Sequence, residues 1–156
     1  AFEEFFLFVL AVRSLRNSNE RIPNGYIIQN DSRTDDFIEK LPFSLTNGQK
    51  SAWTEVKKNM SGKGLMSRLI QGDVGSGKTI IAVLALMNTA YAGYQAAMMV
   101  PTEVLAKQQY DSITKMFNNM GVELNVSLLV GSMTAAAKRK VYEDIENGST
   151  DIVSNI

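Results

Sequence analysis

The stretch LIQGDVGSGKTIIAVLAL, residues 69–86, places three glycines within six positions and follows them with a lysine and a threonine. Apolar residues flank the glycines on both sides. One glycine is enough for a tight turn, so three together indicate a loop that curls and lets another molecule approach its backbone closely. The residues that follow, 78–92, are apolar and long enough for a helix that ends at Gly93.

The segment Gly72-Asp73-Val74-Gly75-Ser76-Gly77-Lys78-Thr79 matches G-x-x-x-x-G-K-[ST], the pattern of a phosphate-binding P-loop. In such a loop successive N–H groups point at one anion, and the positive end of the next helix points at the same place. Lys78 can reach the β and γ phosphates, and the Thr79 hydroxyl can take a Mg²⁺ position. The alternative is a glycine-rich turn with an incidental lysine. A strand predicted before the loop and a helix after it favour the P-loop, with Lys78 and Thr79 as its catalytic residues.

The segments around the loop alternate between short apolar runs and stretches of helical length. Strands are predicted at 65–71, 95–100, 123–130 and from 151 onward, and helices at 46–58, 78–92, 103–120 and 134–147. Glycine or proline marks most of the ends. This alternation is typical of an α/β fold with a parallel sheet and right-handed crossovers.

The beginning of the chain has a different character. AFEEFFLFVLAVRSLR, residues 1–16, predicts an apolar helix over 2–16 that is buried against another part of the protein. Glu3 and Glu4 oppose a signal peptide, because they stand where such a peptide carries positive charge. The length of the run opposes a membrane span, because it is too short to cross a bilayer.

A polar segment, 17–36, rich in Asn, Ser, Asp and Gly, follows this apolar helix and predicts a linker. A short helix is predicted at 35–41, because the chain must leave helical geometry before Pro42. We therefore divide the chain into a helix and linker, 1–40, and a nucleotide-binding part, 41–156.

Composition restricts the chemistry of any site. The 16 basic and 16 acidic residues cancel, so no overall charge indicates a nucleic-acid partner and any such contact must be local. The chain has no cysteine and no histidine. This excludes disulfides, thiolate and imidazole metal sites, and Ser-His-Asp triads. The available chemical groups are carboxylates, lysine, backbone amides and a metal ion brought by a ligand.

Three further motifs accompany the glycine loop. The first motif lies in LPFSLTNGQKSAW and ends at Gln49. The second lies in GYQAAMMVPTEVLAKQQY, which leads out of the second predicted strand, and the third is LLVGS, 128–132, which leads out of the third. Their order resembles the glutamine motif, Walker A loop, Pro-Thr motif and strand-end glycine of superfamily 2 helicases. Together with FEEFFLFVLA and RLIQGDVGSGKTIIA they are similar to the RecG family of bacterial ATP-dependent DNA helicases. The resemblance covers nearly the whole chain.

The resemblance implies a fold and a set of roles. The fold would be a P-loop NTPase (RecA-like) parallel sheet, incomplete here and preceded by the N-terminal helix and linker. Gln49 would read the adenine edge of ATP, and residues 72–79 would hold its phosphates and Mg²⁺. Five residues would lie along the DNA-facing edge of the sheet: Pro101, Thr102, Glu103, Gly131 and Ser132. The intact protein would be a cytoplasmic monomer that binds no membrane and remodels branched DNA, at stalled forks and recombination junctions.

Several of these residues have simpler structural uses. Thr46-x-x-Gln49 is also a capping box, and we expect the cap and the adenine contact to compete for one side-chain amide. Thr102 can cap the helix that follows it, and Gly131 can simply turn the chain. The basic run 138–140 is typical of a solvated helix face.

The chain departs from the family at its end. A helicase motor carries an Asp-Glu pair after the fourth strand, where it holds Mg²⁺ and positions water. This sequence ends in DIVSNI, whereas the family continues past DIV with a glycine-threonine-histidine turn. We therefore expect a piece of the first motor domain that hydrolyses no ATP alone and is prone to aggregate, because strands beside the P-loop strand are missing. The alternative is a non-catalytic remnant or a nucleotide-binding module of another P-loop NTPase.

Overall fold

The computed structural model describes residues 5–11 and 25–155 of the chain. Helix α1 spans 5–11. The remaining elements follow in the order α2 (Ser32–Lys40), α3 (Asn47–Met60), α4 (Lys78–Tyr91), β1 (Ala96–Met99), α5 (Glu103–Met120), β2 (Val126–Leu129), α6 (Ala135–Glu146) and β3 (Ile152–Asn155). Four of these helices and three strands lie where the sequence predicts them, within about three residues at each end.

The sheet is parallel, as predicted, with the strand order β1-β3-β2. In the central strand β3, Ile152 pairs with a residue of each neighbouring strand, and Ile152 and Ser154 are fully buried. The Ser154 hydroxyl donates to the carbonyl of Ala106, 3.1 Å away on α5. A parallel arrangement with helical crossovers brings the carboxyl ends of all three strands to one edge, which is the edge that carries the predicted DNA-facing residues.

The strand predicted at 65–71 is not formed. Residues 65–73 are neither helical nor in a strand, and the three strands described above pair only with one another. Leu69 is 89% exposed. The prediction was wrong because an apolar run becomes a strand only when a neighbouring strand supplies hydrogen-bond partners, and no described strand lies along this one.

Helix α4 is apolar on most sides and forms the centre of the core. Leu84 and Met87 are fully buried, and α4 packs between α3, α2 and the sheet. On the opposing helices, Trp53 of α3 and Phe37 of α2 are each 3% exposed. Phe37 meets Phe117 of α5 edge to face, with ring centroids 6.2 Å apart. The helix that begins at the glycine loop is thus fixed on several sides.

Helix α2 is longer than predicted and lies partly in the segment that we assigned to the linker. Its N-cap is Asp31, whose carboxylate accepts from the backbone N–H of Arg33 at 2.9 Å. This cap starts the helix at Ser32 instead of 35, an Asx signal that the polar composition of the segment concealed. Because Phe37 belongs to the common core, α2 packs with the nucleotide-binding part, although the division at 40/41 itself stays a prediction.

Two features of the N-terminal region follow from the described residues. In α1, Phe5 is 68% and Phe8 is 65% exposed, so this helix is not buried against the described part of the chain. The rest of the helix predicted at 2–16, and residues 17–24 of the predicted linker, lie outside the described residues. No helix in 5–11 or 25–155 combines the length and apolar character needed to span a bilayer.

Candidate functional site

The glycine loop connects the irregular segment 65–73 to the first turn of α4. Gly75 and Gly77 have φ values of 81° and 75°, in the left-handed region that favours glycine. The Ser76 N–H donates to the Asp73 carbonyl at 3.2 Å and closes the turn. All residues from 71 to 79 are exposed, and Val74 stands at the tip. The loop therefore presents its backbone to solvent directly in front of the positive end of α4.

Two of the glycines are also required by neighbouring side chains. A Cβ at Gly72 would lie 2.8 Å from the Ser76 hydroxyl oxygen. A Cβ at Gly77 would lie 2.5 Å from Nε2 of Gln49. Both distances are shorter than real Cβ contacts, so Gly77 is needed both for its backbone conformation and for the approach of another motif.

The Lys78 ammonium lies inside the curl of the loop. Its Nζ donates to the carbonyls of Gly72 at 2.9 Å and Asp73 at 2.7 Å, and it lies 3.5 Å from the Ser76 hydroxyl oxygen. An ammonium has three protons on a flexible stem, so it can exchange these carbonyls for phosphate oxygens. A compact positive charge, a glycine backbone and a helix N-terminus at one place fit a polyphosphate anion.

Thr79 lies in the first turn of α4 and is exposed beside Lys78. One hydroxyl does not hold a divalent cation, and residues 5–11 and 25–155 contain no group of three or more acidic side chains able to bind a metal. The described residues therefore fit Mg²⁺ only where nucleotide phosphates and water supply most of its oxygen ligands.

Gln49 links the capping box of α3 to the glycine loop. Its Oε1 accepts from the Thr46 N–H at 2.9 Å, while the Thr46 hydroxyl accepts from the Gln49 N–H at 3.2 Å. Its Nε2 donates to the Ser76 carbonyl at 2.9 Å. We predicted that the cap would compete with an adenine contact, but a side-chain amide has two donor protons and two acceptor sites. The cap and the loop contact use one of each, so one donor and one acceptor remain.

The predicted DNA-facing residues come from two loops, and the structure joins them. Thr102 caps α5, because its hydroxyl accepts from the Leu105 N–H at 3.3 Å. Glu103 follows it, and its Oε1 accepts from the Ser132 N–H at 2.8 Å. Pro101 and Gly131 are exposed beside this contact. The five residues thus form one continuous surface at the carboxyl edge of the sheet.

Two lysines at this edge were missed by the sequence interpretation. Lys138 is half-buried and its Nζ donates to the Gly131 carbonyl at 2.8 Å, so a solvated helix face is the wrong description for it, although Arg139 and Lys140 are exposed. Lys107 Nζ lies 3.4 Å from the Ser132 hydroxyl oxygen. The available signal was spacing: Lys107 lies one turn after Glu103, and a lysine in the first turns after Gly131 can fold back onto its carbonyl.

The charge of Glu103 is stabilised by this surrounding. Hydrogen bonding from Ser132 lowers the pKa of the Glu103 carboxyl below its usual value, and the positive charges of Lys107 and Lys138 lower it further. The carboxylate is therefore ionised at neutral pH and serves as a hydrogen-bond acceptor.

Comparison with known proteins gives a consistent result. A family model for the DEAD/DEAH box helicases matches residues 46–155. The ATP-dependent DNA helicase RecG of Streptococcus pneumoniae is 40% identical over 153 residues, a match that spans 97% of this chain and 22% of that protein. RecG of Thermotoga maritima is 40% identical over 155 residues, which is 98% of this chain and 19% of that protein. The chain thus spans about a fifth of the length of the curated relatives it matches.

Solved structures agree. This chain matches a structure of RecG bound to a three-way DNA junction with a TM-score of 0.87 and 39% identity. The match covers 99% of this chain and 21% of the solved chain. A hypothetical ATP-dependent RNA helicase from Sulfolobus tokodaii, 18% identical, has a TM-score of 0.57 over 80% of this chain and 33% of its own, and shows the fold alone. The resemblance and the RecA-like α/β fold predicted from the motifs are confirmed: the chain belongs to the DEAD/DEAH box helicase family and is similar to the RecG helicases within it.

Proposed function

We propose that this chain is the ATP-binding part of an ATP-dependent DNA helicase that remodels branched DNA, such as stalled forks and recombination junctions. The observation that carries the proposal is the glycine loop itself, in which Lys78, left-handed glycines and the start of α4 converge. The chain's likeness to the RecG helicases, one of which has been solved bound to a three-way DNA junction, supports the proposed DNA substrate. We also propose that the intact protein is a cytoplasmic monomer.

Each residue of the loop has a role in this proposal. Residues 72–77 donate backbone N–H groups to the phosphates, and Lys78 leaves the carbonyls of Gly72 and Asp73 to neutralise the phosphate charge. The Thr79 hydroxyl provides one ligand for the Mg²⁺ that accompanies ATP. The ion held by Thr79 and the phosphates would supply positive charge that offsets the charge of the phosphates.

Gln49 reads the adenine edge in this proposal. The argument is that one amide proton and one acceptor site remain after the contacts to Ser76 and Thr46, and the amino group and N7 of adenine need one acceptor and one donor. The same side chain then touches both the base and the loop that holds the phosphates.

The DNA-facing edge is proposed to bind the phosphate backbone. Residues 101–103 and 131–132 lie at the carboxyl ends of β1 and β2, and the start of α5 points its positive end toward them. Backbone contacts of this kind carry no sequence information, which suits an enzyme that acts on DNA of any sequence. The two parts of the chain have different roles in this proposal. Residues 41–156 form the ATP-binding part, and residues 1–40 connect it to a preceding region.

The test is a full-length helicase that carries this segment. Lys78→Ala removes the ammonium, and we expect ATP hydrolysis to fall by about 100-fold or more, because charge stabilisation of the reacting phosphate is lost. Lys115→Ala is the matched control, since Lys115 is exposed on α5 away from the loop. Normal turnover in Lys78→Ala would remove the P-loop assignment. ATP binding without DNA-stimulated turnover in the wild-type protein would favour a non-catalytic nucleotide-binding module instead.

A further inference from the structure

The carboxylate of Glu103 is held by groups from two separate parts of the chain. Oε1 accepts from the Ser132 N–H at 2.8 Å, and Oε2 lies 3.9 Å from Lys107 Nζ. The same Lys107 Nζ lies 3.4 Å from the Ser132 hydroxyl oxygen, and Lys138 Nζ donates to the Gly131 carbonyl at 2.8 Å. The loop 131–132 is therefore fastened on one side to the first turns of α5 and on the other to α6.

The glycine at 131 is explained by this contact. A Cβ at Gly131 would lie 2.8 Å from Glu103 Oε1, closer than real Cβ atoms come to a neighbouring atom. Gly131 is not among the described glycines with positive φ, so its backbone conformation does not require glycine. An alanine there would push away only the flexible end of a side chain, and would break the Glu103–Ser132 hydrogen bond while leaving the backbone in place.

A carboxylate is an unexpected group on a surface that faces DNA phosphates, since like charges repel. Glu103 is offset by Lys107 and Lys138, and its side chain is only 32% exposed. Its Oε1 contacts the neighbouring loop and its Oε2 faces Lys107, so direct contact with phosphate is not needed to explain this carboxylate. The two lysines are the groups at this edge with charge suited to phosphate, and both contact the loop that Glu103 holds.

We propose that Glu103 is a positioning residue that fixes the 131–132 loop against α5, so that this loop and the adjoining Lys107 and Lys138 are set in one arrangement for the DNA backbone. The inference rests on the proposed DNA-facing function of this edge and adds to it how the two loops are kept in register. Glu103 acts through Ser132 and the lysines, and Gly131 is the residue that makes room for it.

The test uses a full-length helicase carrying this segment and four variants: Glu103→Ala, Glu103→Gln, Gly131→Ala and the double variant Gly131→Ala/Glu103→Ala. Glu39→Ala, an exposed glutamate of α2, is the matched control. The measurements are the Kd for a fluorescent three-way junction, ATP hydrolysis with and without that junction, and thermal melting to verify that each variant folds.

We expect Glu103→Ala and Gly131→Ala each to weaken junction binding about 3- to 10-fold. Glu103→Gln keeps an oxygen that accepts from Ser132, so it should bind the junction at least as tightly as the wild-type protein. The double variant should be no weaker than Glu103→Ala alone, because both changes break the same contact.

Three results would overturn the inference. One is wild-type or tighter junction binding by Glu103→Ala, which would mean that the carboxylate only repels DNA. Another is equal weakness of Glu103→Gln and Glu103→Ala, which would assign the effect to charge and not to position. The third is additive loss in the double variant. Failure of the wild-type protein to bind the junction at all would refute the proposed function, and the inference with it.

Discussion

Gln49 offers the sharpest test of the nucleotide site, because its two amide atoms serve different partners. Gln49→Ala removes both contacts. Gln49→Glu keeps an oxygen for the Thr46 N–H, and glutamate is as suitable as glutamine at this position of a capping box. It replaces the Nε2 donor by an oxygen that faces the Ser76 carbonyl, 2.9 Å away from the present nitrogen. The pair of variants therefore separates the cap from the loop contact.

The size of each effect follows from the contacts. Loss of the reciprocal cap in Gln49→Ala should destabilise α3 by about 0.5–2 kcal/mol. The hydrogen bond to the Ser76 carbonyl is exposed and contributes about 0.5–1.5 kcal/mol, which corresponds to about 2- to 13-fold in nucleotide affinity if it shapes the loop. This loop effect does not depend on the base, so it should be equal for ATP and GTP. An adenine contact adds a further loss for ATP only.

The assay is titration of a full-length helicase carrying this segment with fluorescent ATP and GTP analogues, together with thermal melting. We expect Gln49→Ala to lower the melting temperature and to weaken ATP more than GTP. We expect Gln49→Glu to melt close to the wild-type protein and still to bind both nucleotides more weakly. Thr54→Ala in the same helix is the control, because Thr54 is exposed and its hydroxyl donates only to the Lys50 carbonyl at 2.9 Å.

Two outcomes would refute this reasoning in different ways. Equal loss of ATP and GTP in Gln49→Ala would remove the adenine contact and leave Gln49 as a cap that also supports the loop. Wild-type affinity of Gln49→Glu for both nucleotides would show that the bond to Ser76 has no effect on the phosphate site.

Two further substitutions test the positioning of the loop and of its helix. Gly77→Ala adds a Cβ to a residue with a φ of 75°, 2.5 Å from Gln49 Nε2, and the left-handed strain of about 1–2 kcal/mol should weaken ATP binding by at least about 5-fold. Unchanged ATP affinity would contradict this. Gly48→Ala, whose Cβ would meet nothing closer than 4.0 Å, is the matched control in the same titration. Asn88→Ala removes the buried amide that accepts from the Asp31 N–H at 3.0 Å and donates to the Gln29 carbonyl at 3.3 Å. The free energy of unfolding, measured in urea, should therefore fall by about 1–3 kcal/mol. An unchanged unfolding midpoint would mean that segment 29–31 is not anchored through α4.

The sequence was informative wherever local chemistry decides the structure. Thr46, Thr102 and Thr134 cap α3, α5 and α6 through their own hydroxyl groups, and Gly121 ends α5 in the left-handed conformation. These signals act within one turn of the chain, so they can be read without knowledge of the fold. The P-loop pattern belongs to the same class, because its shape is fixed by glycines inside one short segment.

The two failures have different causes. The apolar run 65–71 looks like a strand, but strand formation depends on a partner elsewhere in the chain. Helix α2 begins at a cap that lay within a polar segment, and its stability comes from Phe37 in the core and from Asn88 on α4. The run 65–71 depended on a partner far away in the sequence, whereas the start of α2 is marked by the local cap at Asp31, which the polar composition of the segment concealed.

Two glycines show what this means for the interpretation of motifs. Gly77 belongs to the P-loop, yet the nearest atom to its missing Cβ is Nε2 of Gln49, from the glutamine motif. Gly131 ends the third predicted strand, yet the nearest atom to its missing Cβ is Oε1 of Glu103, from the Pro-Thr motif. At each glycine, the absence of a side chain leaves room for a polar side chain of another motif. That side chain then forms a hydrogen bond with the backbone of the residue next to the glycine, Ser76 or Ser132. Such a pair transmits a shift of one motif directly to the other, because the hydrogen bond and the close approach must be kept together. In this chain the motifs are therefore coupled two by two, one pair at the proposed nucleotide site and one at the proposed DNA edge. Strand β3, between β1 and β2, ties the two loops of the second pair to one sheet.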